Sequence, residues 1–261
     1  MVIKTALITG ASSGIGQAFA EELAVSGTNL ILVARSQDKL DKLAKQLKET
    51  ASINVEVIVQ DLTEPQAGQK VYKQVQDQGF RVDCLINNAG FGDYGPFAER
   101  ELSKQLEMIQ LNVTVLVELT HLFLSPMQQQ GQGSIVNVAS IAGFQALPYL
   151  STYAATKAFV LSFTEALWAE NKDKGINCLA LCPGPTESNF FEVADFPQSF
   201  ENKNNGSLTS AQTVVKDALK ALENKQANVV TGGITNNLIV NSSRFFPREF
   251  LLQAVEKQFR A

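Results

Sequence analysis

Short runs of consecutive apolar residues at 6–9, 30–34, 55–59, 84–87, 135–139 and 176–181 alternate with longer stretches at 17–25, 38–49, 64–78, 101–129 and 149–171. In the longer stretches apolar positions recur every three or four residues. The unbroken runs predict strands buried on both faces, and the longer spacing predicts helices with one apolar stripe. Strands and helices alternating in this way build right-handed β-α-β units, which implies an α/β fold with a doubly wound parallel sheet covered on both sides. Ligands of such sheets bind beyond the carboxyl ends of the strands, so the residues just after each apolar run carry most of the functional information. No internal repeat or long low-complexity linker breaks the pattern, and a single domain over 1–261 is the expectation.

The first of those strand ends is a glycine-rich turn. Residues 2–8 read as the opening strand, Gly10-Ala11-Ser12-Ser13-Gly14-Ile15-Gly16 follow at once, and helical periodicity begins at Gln17. Glycine permits a tight turn and close approach of backbone to a ligand, while a helix N-terminus offers unpaired N–H groups and a positive dipole end to phosphate. A pyrophosphate fits that description, although the spacing Gly-x-x-x-Gly-x-Gly differs from the usual Gly-x-Gly-x-x-Gly fingerprint.

A second constellation lies further along. Tyr153 and Lys157 are four apart within a helical stretch and therefore share a face. An ammonium beside a phenol favours the ionised form, so Lys157 is expected to bring the Tyr153 pKa down from about 10 toward working range, making it a general acid or base.

Other polar residues stand at the remaining strand ends: Asn87-Asn88-Ala89-Gly90 after 84–86, Ser140 after 135–139, and Pro183-Gly184 after 178–182, with Asn112 on an intervening helix. With these motifs in order, the chain resembles the short-chain dehydrogenase/reductase family from about Ile3 to about Ser188. The resemblance implies a Rossmann-type sheet, a cofactor half of about 1–140, and a catalytic half of about 141–261 with a C-terminal helical substrate region. It implies hydride transfer between NADP(H) and a carbonyl or secondary alcohol. Ser140 would hold the substrate oxygen and Tyr153 would donate the proton. Lys157 would bind the nicotinamide ribose, and Asn112 would join it to a water relay. Cofactor contacts would come from Gly10, Ser12, Ser13, Gly14, Ile15, Gly16, Asp61, Leu62, Asn88, Ala89, Gly90, Pro183, Gly184, Thr186 and Ser188, and from the catalytic residues Asn112, Tyr153 and Lys157. Asp61 is similar to the family's adenine-contacting aspartate; the alternative is an N-cap ahead of Glu64. Thr186 and Ser188 depart from the family's aliphatic and threonine after Pro-Gly, and either hydroxyl is a candidate for the carboxamide. Family members are often dimers or tetramers, which makes a homodimer or homotetramer the expectation.

Cofactor choice is legible after the second strand. An NAD site usually places an acid about twenty residues past the glycines, but here Ala34 stands in that place and Arg35 beside it. A guanidinium gives charge-assisted hydrogen bonds of roughly 1.5 to 3 kcal/mol to a 2'-phosphate, which favours NADP roughly ten- to a hundredfold.

Charge and cysteine content narrow the class. A net charge of −4 without a long basic run argues against nucleic acid as the main partner. No uninterrupted apolar run reaches membrane-spanning length, and the opening strand leaves no room for a leader, so a soluble cytoplasmic protein is expected. Cys178 and Cys182 would lie roughly 13 Å apart on one strand face, too far for a disulfide, and with Cys84 are expected as reduced core residues. His121, the only histidine, is expected to pack on an apolar helix, leaving no Ser-His-Asp or multi-histidine metal site.

The stretch 189–208 starts with Phe190, Phe191, Phe196 and Phe200 and then turns polar, which reads as a lid. With Phe91, Tyr94, Phe97, Phe144 and Tyr149 it implies an apolar pocket for an aromatic or acyl ketone. The tail 244–260 mixes an apolar stripe with basic residues; docking on the body of the protein or on a second subunit is favoured over peripheral membrane contact. A catalytically silent NADP sensor or scaffold of the same fold is the alternative function, disfavoured by the complete set Asn112, Ser140, Tyr153 and Lys157.

Overall fold

The computed structural model describes residues 3–197, 208–242 and 245–260. Seven parallel strands form one sheet in the order β3-β2-β1-β4-β5-β6-β7. They are β1 (Thr5–Thr9), β2 (Asn29–Ala34), β3 (Val55–Val59), β4 (Cys84–Asn87), β5 (Gly133–Val138), β6 (Ile176–Cys182) and β7 (Asn228–Val230). The chain runs outward from β1 to β3 and then returns to β4 on the other side of β1. This puts a topological switch point, and with it a ligand crevice, beyond the ends of β1 and β4.

Helices α1 (Gly14–Val25), α2 (Gln37–Thr50), α3 (Ala67–Asp77), α4 (Leu102–Ile109), α5 (Val115–Gln130) and α6 (Ser151–Asn171) cover the two faces, joined by α7 (Phe190–Val193), α8 (Ala211–Glu223), α9 (Ile234–Ser242) and α10 (Arg248–Phe259). On one face Phe19 and Leu23 of α1, Leu40 of α2 and Val214 of α8 pack on Ile8, Leu32, Ile86 and Val136. On the other, Val71 of α3 and Val115, Leu119, Phe123 and Met127 of α5 pack on Leu7, Ile31, Leu85 and Ile135. Alternate residues of each strand therefore feed two cores, which is why the strands read as unbroken apolar runs.

Several expectations are corrected. The opening strand starts at Thr5 rather than at residue 2, and Val2 lies outside the described residues. The helix expected over 64–78 starts only at Ala67, because Gln66 adopts the left-handed conformation. The helix expected over 101–129 is divided between α4 and α5 by a π turn, Gln110–Thr114, in which the N–H of Val115 bonds the carbonyl of Gln110 five residues back. Leu102–Gln130 has the length and composition of a membrane span, yet its inner face is the core packing just described. His121 faces solvent rather than the core. The short edge strand β7 was not expected, since three half-buried residues carry no distinguishing pattern.

The C-terminal helix docks on the body of the protein, as its apolar stripe implies. Val255 and Phe259 pack with Tyr94, Leu147, Leu150 and Ala154, and the Tyr94 hydroxyl donates to the Phe259 carbonyl at 2.5 Å. Arg244 of the tail lies outside the described residues.

Candidate active site

At the end of β1 the glycine turn is built by close contact. Gly10 and Gly14 have φ of 64° and 55°, a region that favours glycine. A Cβ on Gly16 would lie 2.3 Å from the Gly10 carbonyl oxygen and 2.6 Å from Asn88 Nδ2, so only a hydrogen fits there. Asn88 ties the turn down, donating from Nδ2 to the Thr9 and Gly10 carbonyls at 2.9 and 3.2 Å. The Thr9 hydroxyl accepts from the backbone N–H of Asn88 and Ala89 at 2.9 and 3.0 Å. Thr9 thus locks the ends of β1 and β4 together, a role that no local pattern reveals because it depends on strand register. Ser12 and Ile15 flank the turn, Ile15 packing on the core. Ser13 is the N-cap of α1, yet its hydroxyl makes no capping bond. The first N–H groups of α1 and this hydroxyl border the crevice, which suits a phosphate.

At the end of β2, Arg35 is 73% exposed and its guanidinium stands 3.9 Å from Asp61. Asp61 accepts from the Thr63 N–H at 2.9 Å and from its hydroxyl at 2.7 Å. Burial pushes this carboxyl up, but the two Thr63 bonds and the Arg35 charge outweigh it and hold the pKa below the usual value. Asp61 therefore closes a turn rather than capping a helix ahead of Glu64, and buried Leu62 anchors that turn.

The catalytic candidates converge at the ends of β4, β5 and β6. Ser140 follows β5 in extended conformation; its Oγ accepts from the Ala142 N–H at 3.1 Å and lies 3.5 Å from the Pro183 carbonyl. The Ser140 hydroxyl also acts on the Tyr153 phenol, favouring its ionised form. Lys157, 5% exposed, donates to the Val138 carbonyl at 2.7 Å, and its Nζ stands 5.8 Å from the Tyr153 ring centre. Asn112, in the π turn, grips the loop after β4. It accepts from the Phe91 N–H at 3.1 Å, donates to the Phe91 carbonyl at 3.0 Å, and reaches the Thr156 hydroxyl at 3.2 Å. A Cβ on Gly90 would lie 2.8 Å from Asn112 Oδ1 and 3.6 Å from Lys157 Nζ, so these three positions meet at one point.

The electrostatics differ from expectation at Tyr153. Burial pushes its phenol up to about 12, and the Ser140 hydroxyl opposes this only in part. The ammonium of Lys157 is directed at the Val138 carbonyl, and its charge does not offset the burial of the phenol. Lys157 is itself pushed down to about 8 by burial, opposed by the neighbouring Cys182 thiol. At neutral pH the phenol is therefore a proton carrier and the lysine largely a cation.

Beyond β6, a Cβ on Gly184 would lie 2.1 Å from Asn236 Nδ2. Pro183 receives the Ile141 N–H at 3.0 Å. The Thr186 hydroxyl donates to the Gly184 carbonyl at 2.9 Å, and that of Ser188 to the Thr186 carbonyl at 3.3 Å. A Cβ on Gly14 would lie 3.2 Å from that of Ser188, so Ser188 sits against the glycine turn while Thr186 stays by the Pro-Gly turn.

The aromatic set is partly as expected. Phe190 lies 5.1 Å from Tyr153, Phe196 stacks on Tyr94 at 4.8 Å, and Tyr149 stacks on Tyr94 at 6.0 Å. Phe97 is instead exposed to solvent, and Phe144 packs beside Leu161 and Val160. Of the stretch 189–208, residues 198–207, Phe200 among them, lie outside the described residues. The three cysteines are buried and free, with burial raising each thiol to about 12, which leaves them inert.

Comparison with known proteins decides the lineage. The profile of the short chain dehydrogenase family matches residues 4–199. The chain belongs to this family. It is a family of oxidoreductases acting between CH–OH and C=O groups. A short-chain dehydrogenase from Sphingobium yanoikuyae in complex with NADPH superposes with a TM-score of 0.83 at 31% identity, covering 96% of this chain and 95% of that one. The very-long-chain 3-oxoacyl-CoA reductase of Mus musculus is 31% identical over 93% of this chain and 75% of its own length. The hydroxysteroid dehydrogenase-like protein 1 of Gallus gallus is 35% identical over 68% of this chain, but the match spans only 54% of that protein.

Proposed function

We propose that this short-chain dehydrogenase uses NADPH to reduce a ketone flanked by apolar or aromatic groups, as the acyl and steroid names of its relatives suggest. The observation that carries the reading is Tyr153, a phenol whose pKa burial raises to about 12, with the Ser140 hydroxyl acting against that rise and the Phe190 ring 5.1 Å away. A protonated, half-buried acid beside a hydroxyl suits the reductive direction, in which the substrate oxygen must gain a proton.

The residues present fit the dinucleotide. The cradle at Gly16 has no room for a Cβ, the Ser13 hydroxyl makes no cap bond, and Arg35 projects into solvent with only a long contact to Asp61. The α1 N-terminus and Ser13 would take the pyrophosphate, Arg35 the 2'-phosphate, and Lys157 the nicotinamide ribose; the bound dinucleotide supplies the hydride. Ser140 orients the carbonyl oxygen through its hydroxyl. Tyr153 gives its phenolic proton to that oxygen as charge develops, and the Lys157 cation stabilises the phenolate left behind. Asn112 holds the loop at Phe91 against the helix that carries Lys157.

The test is NADPH oxidation by the full chain across steroid ketones, β-keto thioesters and aryl ketones. Turnover of at least one class well above a reference aliphatic ketone is expected. Uniform absence of turnover across all classes would reject the reading.

A further inference from the structure

A buried ionic cluster stands beside the site without being part of it. Asp93, in the loop after β4, has a carboxylate with no solvent exposure that meets four donors. These are Arg100 Nε at 2.9 Å and Nη2 at 2.5 Å, Lys104 Nζ at 2.7 Å and Gln105 Nε2 at 2.6 Å. Lys104 and Gln105 already serve the carboxylate, yet Arg100 extends a further arm. Its Nη1 reaches Asp195 at 3.1 Å, in the turn after α7, and Asp195 is 68% exposed.

We propose that Arg100 is a positioning residue for the substrate: it ties Asp93 to Asp195 and so holds Phe190 of α7 against Tyr153. This rests on the reductase reading. The connection is continuous. Phe91 is gripped by Asn112, Asp93 follows two residues on, and the Tyr94 N–H donates to the Ala194 carbonyl at 2.7 Å. Arg100 bridges the same two segments through side chains, and α7 places Phe190 5.1 Å from Tyr153.

Two glycines make room for the arrangement. A Cβ on Gly92 would lie 2.8 Å from the Phe190 ring, and one on Gly95, whose φ is 144°, would lie 2.7 Å from Arg100 Cδ. The backbone after β4 is thus shaped to admit both the ring and the guanidinium. Only arginine provides this: its planar fork bonds two carboxylates at once, whereas a lysine ammonium is a point charge on a flexible stem. A residue that only stabilised Asp93 would have no use for the arm to Asp195.

The experiment compares wild type with Asp195→Ala and Arg100→Lys in the full chain. Asp195 is exposed but has a φ of 60°, so the first variant also carries the backbone cost of a residue less suited to that conformation than aspartate, a cost that Asp195→Glu shares; the second keeps a cation beside Asp93. Amide hydrogen exchange over 190–196 is followed alongside KM and kcat for the best ketone and the dissociation constant for NADPH. An exposed ion pair is worth a factor of roughly 1.4 to 5, so exchange in 190–196 is expected to quicken by about threefold in Asp195→Ala. KM should rise by a similar factor, with sheet amides, kcat and NADPH affinity unchanged. Arg100→Lys should shift the same quantities further, and Asp195→Glu should restore them. Unchanged exchange over 190–196 in both variants would overturn the proposal, as would a loss of NADPH affinity that tracks KM. A wild type that reduces no ketone would reject the reductase reading, while the exchange result would still decide whether Arg100 holds α7.

Discussion

Lys157 donates its ammonium hydrogen bond to the carbonyl of Val138, the last residue of β5, at 2.7 Å. The bond fixes a cation at the carboxyl edge of the sheet, where Tyr153 and Asn112 also arrive. It also leaves that cation almost wholly buried, and burial lowers its pKa from 10.5 to about 8.

That depression has a sign. Between about pH 8 and 10.5 the unfolded chain binds a proton at Lys157 that the folded protein does not, so this residue's destabilising contribution is full below pH 8 and fades as pH rises. Removing the amine with Lys157→Met should therefore look most favourable at pH 7, and the stability difference between variant and wild type should move in favour of wild type by about 3 kcal/mol by pH 10.5. Urea unfolding across this range checks it, with both proteins in a Cys182→Ala background because that thiol is coupled to Lys157. A pH-independent difference would contradict the burial argument.

At Arg35, exposure and the long 3.9 Å contact to Asp61 leave the guanidinium available. NADPH should raise the melting temperature more than NADH at equal concentration, because a ligand present at about 100 times its dissociation constant adds roughly 2.7 kcal/mol of stability. Arg35→Asp should reverse the order of the two cofactors. Equal shifts for both in wild type would remove Arg35 from cofactor selection.

Gly16→Ala would push a methyl to within 2.3 Å of the Gly10 carbonyl oxygen, and neither backbone segment can move without opening the turn that Asn88 ties down. The expected result is a loss of about 1 to 3 kcal/mol in stability, together with loss of the melting shift caused by NADPH. Retention of that shift would mean that the turn does not cradle the dinucleotide.

Much of this site was legible in the sequence because its determinants are local. Gly10 to Gly16, the Tyr153–Lys157 spacing and the polar residues after each apolar run are all short-range patterns, and the strands they follow are buried on both faces. What was missed depends on register or on burial. Thr9 bridges β1 to β4 through two backbone N–H groups seventy-nine and eighty residues away. The π turn at Asn112 interrupts a helix whose apolar spacing continues across it. The upward direction of the Tyr153 pKa follows from burial, and the Lys157 ammonium is turned to the Val138 carbonyl; helical spacing specifies neither. His121 lies on an apolar helix but on its outer face, and a lone position carries no signal of which way it turns.

The most direct test of the account compares Tyr153→Phe with wild type on the best ketone, measuring single-turnover NADPH oxidation and, separately, NADPH affinity by fluorescence. The phenol acts only on the reacting oxygen, so the variant should bind NADPH as wild type does and turn over at least about a hundredfold more slowly, the scale expected for a positioned general acid. A Tyr153→Phe protein that reduced the ketone within a few-fold of the wild-type rate would contradict the central claim that Tyr153 delivers the proton.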